Sequence, residues 1–166
     1  MDKLKSDYEK LINSKEFDNK DYFCGAFLMM ETSSMVDSSN ISWQLDFYNE
    51  KSDTIVSYVI NEEISKTSNS EVFKSEKMKV EKLNMNDVKV SFEEVLTKCK
   101  KVLKRHNDKS VKIIAILQNM KRPLWNISYV TQNFNLINIK IDAINGKIIE
   151  DKLVSLLSWG KIDDNK

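Results

Sequence analysis

The chain is poor in the residues that most often announce a function. Its 166 residues include only three glycines and one proline, which leaves no Gly-rich loop to cradle a phosphate. A single histidine, His106, and two cysteines, Cys24 and Cys99, cannot assemble a zinc site, and no CxxC pair suggests redox chemistry. Two free thiols in a reducing compartment are the simpler expectation, with a disulfide between them left open. Charge of one sign is also missing. Lys and Arg number 26 against 25 Asp and Glu, for a formal net charge of +1, so no global electrostatic footprint points to a polyanion. No apolar run approaches the roughly 20 residues that span a bilayer. The charged start, Met1-Asp2-Lys3-Leu4-Lys5, lacks the apolar core of a signal peptide. These features predict a cytoplasmic, soluble protein with no membrane association.

What is present is a folded composition, 41% hydrophobic and 31% charged, with clear periodicity. Phe92, Val95, Leu96, Cys99, Val102 and Leu103 form a helical stripe over about Phe92–Lys104. Ser91 and Glu94 have the spacing of a capping box, and Val90 and Val95 that of a hydrophobic staple. Four strands are expected to follow. Val111–Leu117 is nearly continuous in apolar residues, Trp125, Ile127 and Tyr129 alternate with Asn126 and Ser128, and Ile137, Ile139, Ile141 and Ala143 alternate with Asn138, Lys140 and Asp142. Asn145-Gly146 predicts a type I′ hairpin into a returning strand at Lys147–Leu153.

The first half repeats this order. Leu4, Tyr8, Leu11 and Ile12 suggest a helix, and strands are expected near Tyr22–Met30, Trp43–Phe47, Ile55–Ile60 and Val72–Val80. A constant offset places Trp43 on Trp125, Leu45 on Ile127 and Phe47 on Tyr129, then Ile55, Ser57 and Val59 on Ile137, Ile139 and Ile141. The expected fold is therefore α+β, with two tandem helix-plus-antiparallel-sheet units at residues 1–80 and 88–160. Thr67–Val90, polar and weakly patterned, would be the hinge between them.

Trp125-Asn126-Ile127-Ser128-Tyr129, followed by Ile139-Lys140-Ile141-Asp142-Ala143-Ile144-Asn145-Gly146-Lys147-Ile148-Ile149, resembles the end of a PepSY-type domain. The resemblance covers about residues 91–153, with Asn145 where the family usually has threonine. Ile60-Asn61-Glu62-Glu63 in the first half lacks that signature. The resemblance implies a PepSY-like architecture, akin to cystatin-like and β-lactamase-inhibitor-like folds, in a binding or inhibitory module rather than a catalyst.

No catalytic constellation emerges from the residues themselves. Cys99 lies within its helix stripe and Cys24 within an apolar strand, so both are expected to be buried and inert, with His106 near a helix C-terminus. Glu62-Glu63, Glu93-Glu94, Glu150-Asp151 and Asp163-Asp164 have no apolar setting that would tune a general acid. The sequons Asn40-Ile41-Ser42 and Asn126-Ile127-Ser128 read as accidents of composition. We therefore expect no enzyme, no metal, no cofactor, and a protein-binding or regulatory module of unknown partner, with homodimerisation left open. Its surface would be the sheet face away from the helices: Asn126, Ser128, Asn138, Lys140 and Asp142 in one half, and Gln44, Asp46, Tyr48, Val56, Tyr58 and Ile60 in the other. Tyr48, Val56, Tyr58 and Ile60, with Trp159 near the tail, have the make-up of a protein interface. The alternative is a nucleic-acid-associated protein using Lys98, Lys101, Lys104 and Arg105 at the basic helix end. Salt dependence of binding would separate the two.

Overall fold

The computed structural model describes residues 2–36, 40–67, 70–71 and 79–161; the side chains at 35–36, 70–71 and 159–161 lie outside that set. The first helix, α1, spans Lys3–Ile12 and starts where the Asp2 side chain accepts from the amides of Leu4 and Lys5. It buries Leu4, Asp7 and Leu11, whereas Ile12, expected in the stripe, points outward. Asp7 is tolerated on the buried side because the Lys3 ammonium reaches its carboxylate at 2.6 Å. The second helix, α2, runs Phe92–His106 with the Ser91–Glu94 capping box formed in full, and it ends at Asn107 in the left-handed conformation. Phe92, Val95, Cys99 and Val102 are its buried stripe, as the periodicity predicts.

The strands are β1 (Tyr22–Glu31), β2 (Gln44–Asn49), β3 (Thr54–Ile60), β4 (Ile64–Lys66), β5 (Ser70–Glu71), β6 (Ser110–Asn119), β7 (Pro123–Thr131), β8 (Asn135–Asp142) and β9 (Ile148–Ser155). They form one antiparallel sheet in the order β4-β3-β2-β1-β6-β7-β8-β9, with β5 also paired to β3. The expected fourth strand at Val72–Val80 falls largely outside the described residues.

This sheet corrects the expectation of two tandem helix-plus-sheet units. β1 and β6 pair along their length, from Gly25↔Gln118 to Glu31↔Lys112. What would have been the exposed edges of two sheets satisfy each other's backbone groups at the centre of one. The core is equally undivided. Trp43 and Trp125 lie with ring centroids 5.9 Å apart, and Phe92 of α2 packs on both. Nor is residues 79–90 a polar hinge. Leu83, Met85, Val88 and Val90 are buried in the same core. The amide of Leu83 donates to Phe23, those of Lys89 and Val90 to Ala143, and Trp125 Nε1 to the carbonyl of Val90.

The constant offset between halves holds for β2 and β7, where Leu45 and Ile127 face Ala26 and Ala115. It slips in the next strands. Leu45 pairs with Tyr58 but Ile127 with Ile139, so the first connection is one residue longer. In a pleated strand a one-residue slip exchanges the faces. Val56, Tyr58 and Ile60 therefore point into the core, each no more than 3% exposed, and Ile55, Ser57 and Val59 occupy the opposite face.

The Asn145-Gly146 hairpin is also not the tight two-residue turn expected. Five residues separate β8 from β9, and only Gly146 among them has positive φ, at 73°. Ala143 is held on both sides, its amide donating to Pro123 and its carbonyl accepting from Lys89 and Val90. Asp142 organises the turn instead: its Oδ1 accepts from the amides of Ile144 and Asn145, and its Oδ2 from Arg122 at 2.6 Å.

Candidate functional site on the open sheet face

Both helices pack on one face of the sheet. Tyr8 of α1 stacks against Phe23, and Phe92 of α2 against Trp43 and Trp125, all core-facing residues. The pleat sends alternate residues to the other face, and register places them in rows across it. One row runs Val59, Gln44, Phe27, Ile116, Asn126, Lys140 and Glu150; the next contains Met29, Ile114, Ser128, Asn138 and Lys152. The face thus has an apolar centre on β1 and β6, with Met29 54% exposed, beside a polar side on β7 to β9. On the polar side Asn138 donates to both Asn126 and Ser128. Glu150 receives Lys140 and Lys152, which hold its carboxyl down at about 2.

A cleft of about 500 Å³ opens on this face over Gly25. β1 bulges between Phe23 and Gly25, and Gly25 has Asp46 as its partner on one side and Gln118 on the other. A Cβ at Gly25 would lie 2.9 Å from the carbonyl oxygen of Leu117, so backbone approach requires glycine there. The missing side chain leaves a floor between a carboxylate and a carboxamide. Phe27, Ile55, Ile116 and Met120 supply apolar walls, and Lys79–Glu81 passes along the rim.

Asp46 is the ionisable group inside. Burial pushes its carboxyl above the usual range, and hydrogen bonds from Ser57 and Gln44 pull only part of the way back. Both bonds go to Oδ1. Cys24 beside it donates to the Asp46 carbonyl, and burial together with the Asp46 charge pushes the thiol up to about 12. Cys99, fully buried on α2, is pushed up to about 11, first by burial. Both cysteines are free, and neither has the electropositive, accessible setting of a nucleophile. Among the described residues no group of three His, Cys, Asp or Glu side chains could hold a metal ion.

The interface residues named from the sequence distribute differently. Val56, Tyr58 and Ile60 are core, as above. Tyr48 does lie on the open face, against Tyr22, but it is only 6% exposed and hydrogen-bonds Asp53. Trp159 falls in a short 3₁₀ segment, Leu156–Lys161, with its side chain outside the described residues. Gln44, Asp46, Asn126, Ser128, Asn138 and Lys140 are on the open face as expected. Asp142 shares it but is buried in its turn.

The basic helix end does not form one free patch. Arg105 lies 3.6 Å from Asp151, which also binds His106 at 3.0 Å. Lys98 is half-buried with the end of its side chain over Gly146, leaving Lys101 and Lys104 exposed. His106 reaches across to β9, and Asn107 makes the helix cap. The residues missed from sequence were Phe27, Met29, Ile114 and Ile116. Their signal was an apolar run long enough to cover both faces of β1 and β6, which reads as a strand buried on both sides.

No family model matches the chain, and no curated protein does. Among solved structures it is similar to "a putative lipoprotein" from Clostridium difficile 630, at 13% identity and a TM-score of 0.54, over 91% of this chain and 88% of that one. At that identity the likeness shows the fold alone. The PepSY-like, tandem-repeat and cytoplasmic readings are not supported by these findings. No helix among the described residues is long and apolar enough to cross a membrane.

Proposed function

We propose that this protein is a non-enzymatic binding module, regulatory or inhibitory by occupancy, that docks a protein partner on the open face of its sheet. The observation that carries this is the central apolar patch, where Phe27 pairs with Ile116 and Met29 with Ile114 on a face neither helix covers. An apolar centre with a polar border is the anatomy of a protein interface, and a merely solvated face would be polar throughout. Burial raises the thiols of Cys24 and Cys99, which argues against either cysteine as a nucleophile and fits a binding role.

The test compares capture from the native host by the wild type, by Met29→Lys with Ile114→Lys, and by Lys101→Glu with Lys104→Glu. The expected result is one partner retained by the wild type and the helix variant and lost by the face variant. Loss confined to the helix variant, with steep salt dependence, would replace this reading with nucleic-acid association. Equal retention by all three would end it.

A further inference from the structure

We infer that the cleft over Gly25 binds a small organic ammonium ion with an apolar body, with Asp46 as its counter-ion. Asp46 and Gln118 are cross-strand partners of the same glycine, so their side chains face each other across two strand spacings, roughly 10 Å. Nothing rises from Gly25 to fill that gap. The volume of about 500 Å³ falls in the ordinary range for small-molecule sites, and Phe27, Ile55, Ile116 and Met120 would enclose an apolar group.

The charge of the ligand follows from what Asp46 lacks. Ser57 and Gln44 occupy Oδ1, and Oδ2 has no hydrogen-bond partner among the described residues. No Lys or Arg among them forms an ion pair with this carboxylate, whereas the two fully buried carboxylates each have one: Asp7 with Lys3, and Asp142 with Arg122. A partly buried carboxylate without a cation is costly, and a ligand that brings the cation relieves the cost. The rim residues Lys79 and Glu81 carry opposite charges and leave the sign of the site to Asp46. A ligand anion would meet the Asp46 charge at close range, and a neutral apolar molecule would leave it desolvated and unpaired. Gln118 then offers a polar group at the far side for a second contact.

This inference does not depend on protein docking: Phe27 and Ile116 are shared by the cleft and the docking patch, but the charge of the cleft comes from Asp46, which is no part of that patch, and small-ion binding is read without any partner. Its test is an amide NMR titration of the full chain with 2-phenylethylammonium, against 2-phenylethanol as the neutral analogue. Saturable shifts are expected at Gly25, Asp46 and Gln118 with the ammonium. The alcohol should bind about tenfold more weakly, and Asp46→Asn should weaken the ammonium by a similar factor. The comparison of amine with alcohol needs no variant, so it stands even if Asp46→Asn folds poorly. Equal binding of amine and alcohol, an unaffected Asp46→Asn, or no saturable shift by about 10 mM, a generous limit for a ligand this small, would each overturn the assignment.

Discussion

Replacing Asp142 with alanine tests the account of the β8–β9 turn. Asp142 is 1% exposed and its carboxylate carries three bonds. The Ile144 amide at 2.8 Å is a charge-assisted bond of about 1.5–2 kcal/mol. The Asn145 amide at 3.3 Å is longer and contributes about 0.5–1 kcal/mol. Arg122 approaches to 2.6 Å, but its side chain is 57% exposed, so solvent screening limits the pair to about 0.5 kcal/mol. Asp142→Ala should therefore lose about 3 kcal/mol in urea unfolding, a large part of the stability of an ordinary domain. Asp142→Asn keeps an acceptor for the amides and should lose about 1 kcal/mol, and Arg122→Gln about 0.5 kcal/mol. The damage should spread to the start of α2, because Ala143 next in the chain accepts from Lys89 and Val90; their amides should exchange faster. The pH dependence has a definite sign. Burial raises the Asp142 carboxyl, but the amides of Ile144 and Asn145 and the Arg122 guanidinium outweigh it and hold it below its ordinary value. A depressed folded-state pKa stabilises fully above the unfolded value of about 3.9 and is lost as pH falls through the folded value. The alanine variant should lose that part of the acid slope. A loss under about 1 kcal/mol, or an asparagine variant as weak as the alanine one, would refute the reasoning.

Thiol labelling of the folded protein near pH 8 should leave Cys99 unmodified until denaturant is added, because its thiol sits at about 11 in a fully buried site; prompt labelling would contradict the burial. Gly25→Ala should cost about 1–3 kcal/mol, since its Cβ meets the Leu117 backbone oxygen at 2.9 Å and a backbone atom cannot step aside. Gly146→Ala should cost about 1 kcal/mol, mostly from its positive φ, because the atom it meets is the flexible end of Lys98. Trp125→Phe should cost about 1–3 kcal/mol in chemical unfolding, through the orphaned Val90 carbonyl and the looser fit against Trp43.

Local signals alone determined much of this protein. Ser91, Glu94 and the stripe from Phe92 to Val102 specify α2 without help from the rest of the chain, because capping and helical period are properties of a few consecutive residues. The alternation of Trp125, Ile127 and Tyr129 with Asn126 and Ser128 fixes which side of β7 is buried, since only one side is apolar. Tertiary structure decided the rest. Ile55-Val56-Ser57-Tyr58-Val59-Ile60 is nearly apolar on both sides, so its period cannot choose a face; the length of the β2–β3 connection chooses it. The apolar residues of β1 and β6 likewise mark two long strands without saying that they pair, and that pairing turns two expected sheets into one. Asp46, Gly25 and Gln118 lie far apart in sequence, and only the register of three neighbouring strands brings them to one cleft. Such contacts depend on which edges meet, and backbone edges carry the same donors and acceptors whatever their side chains.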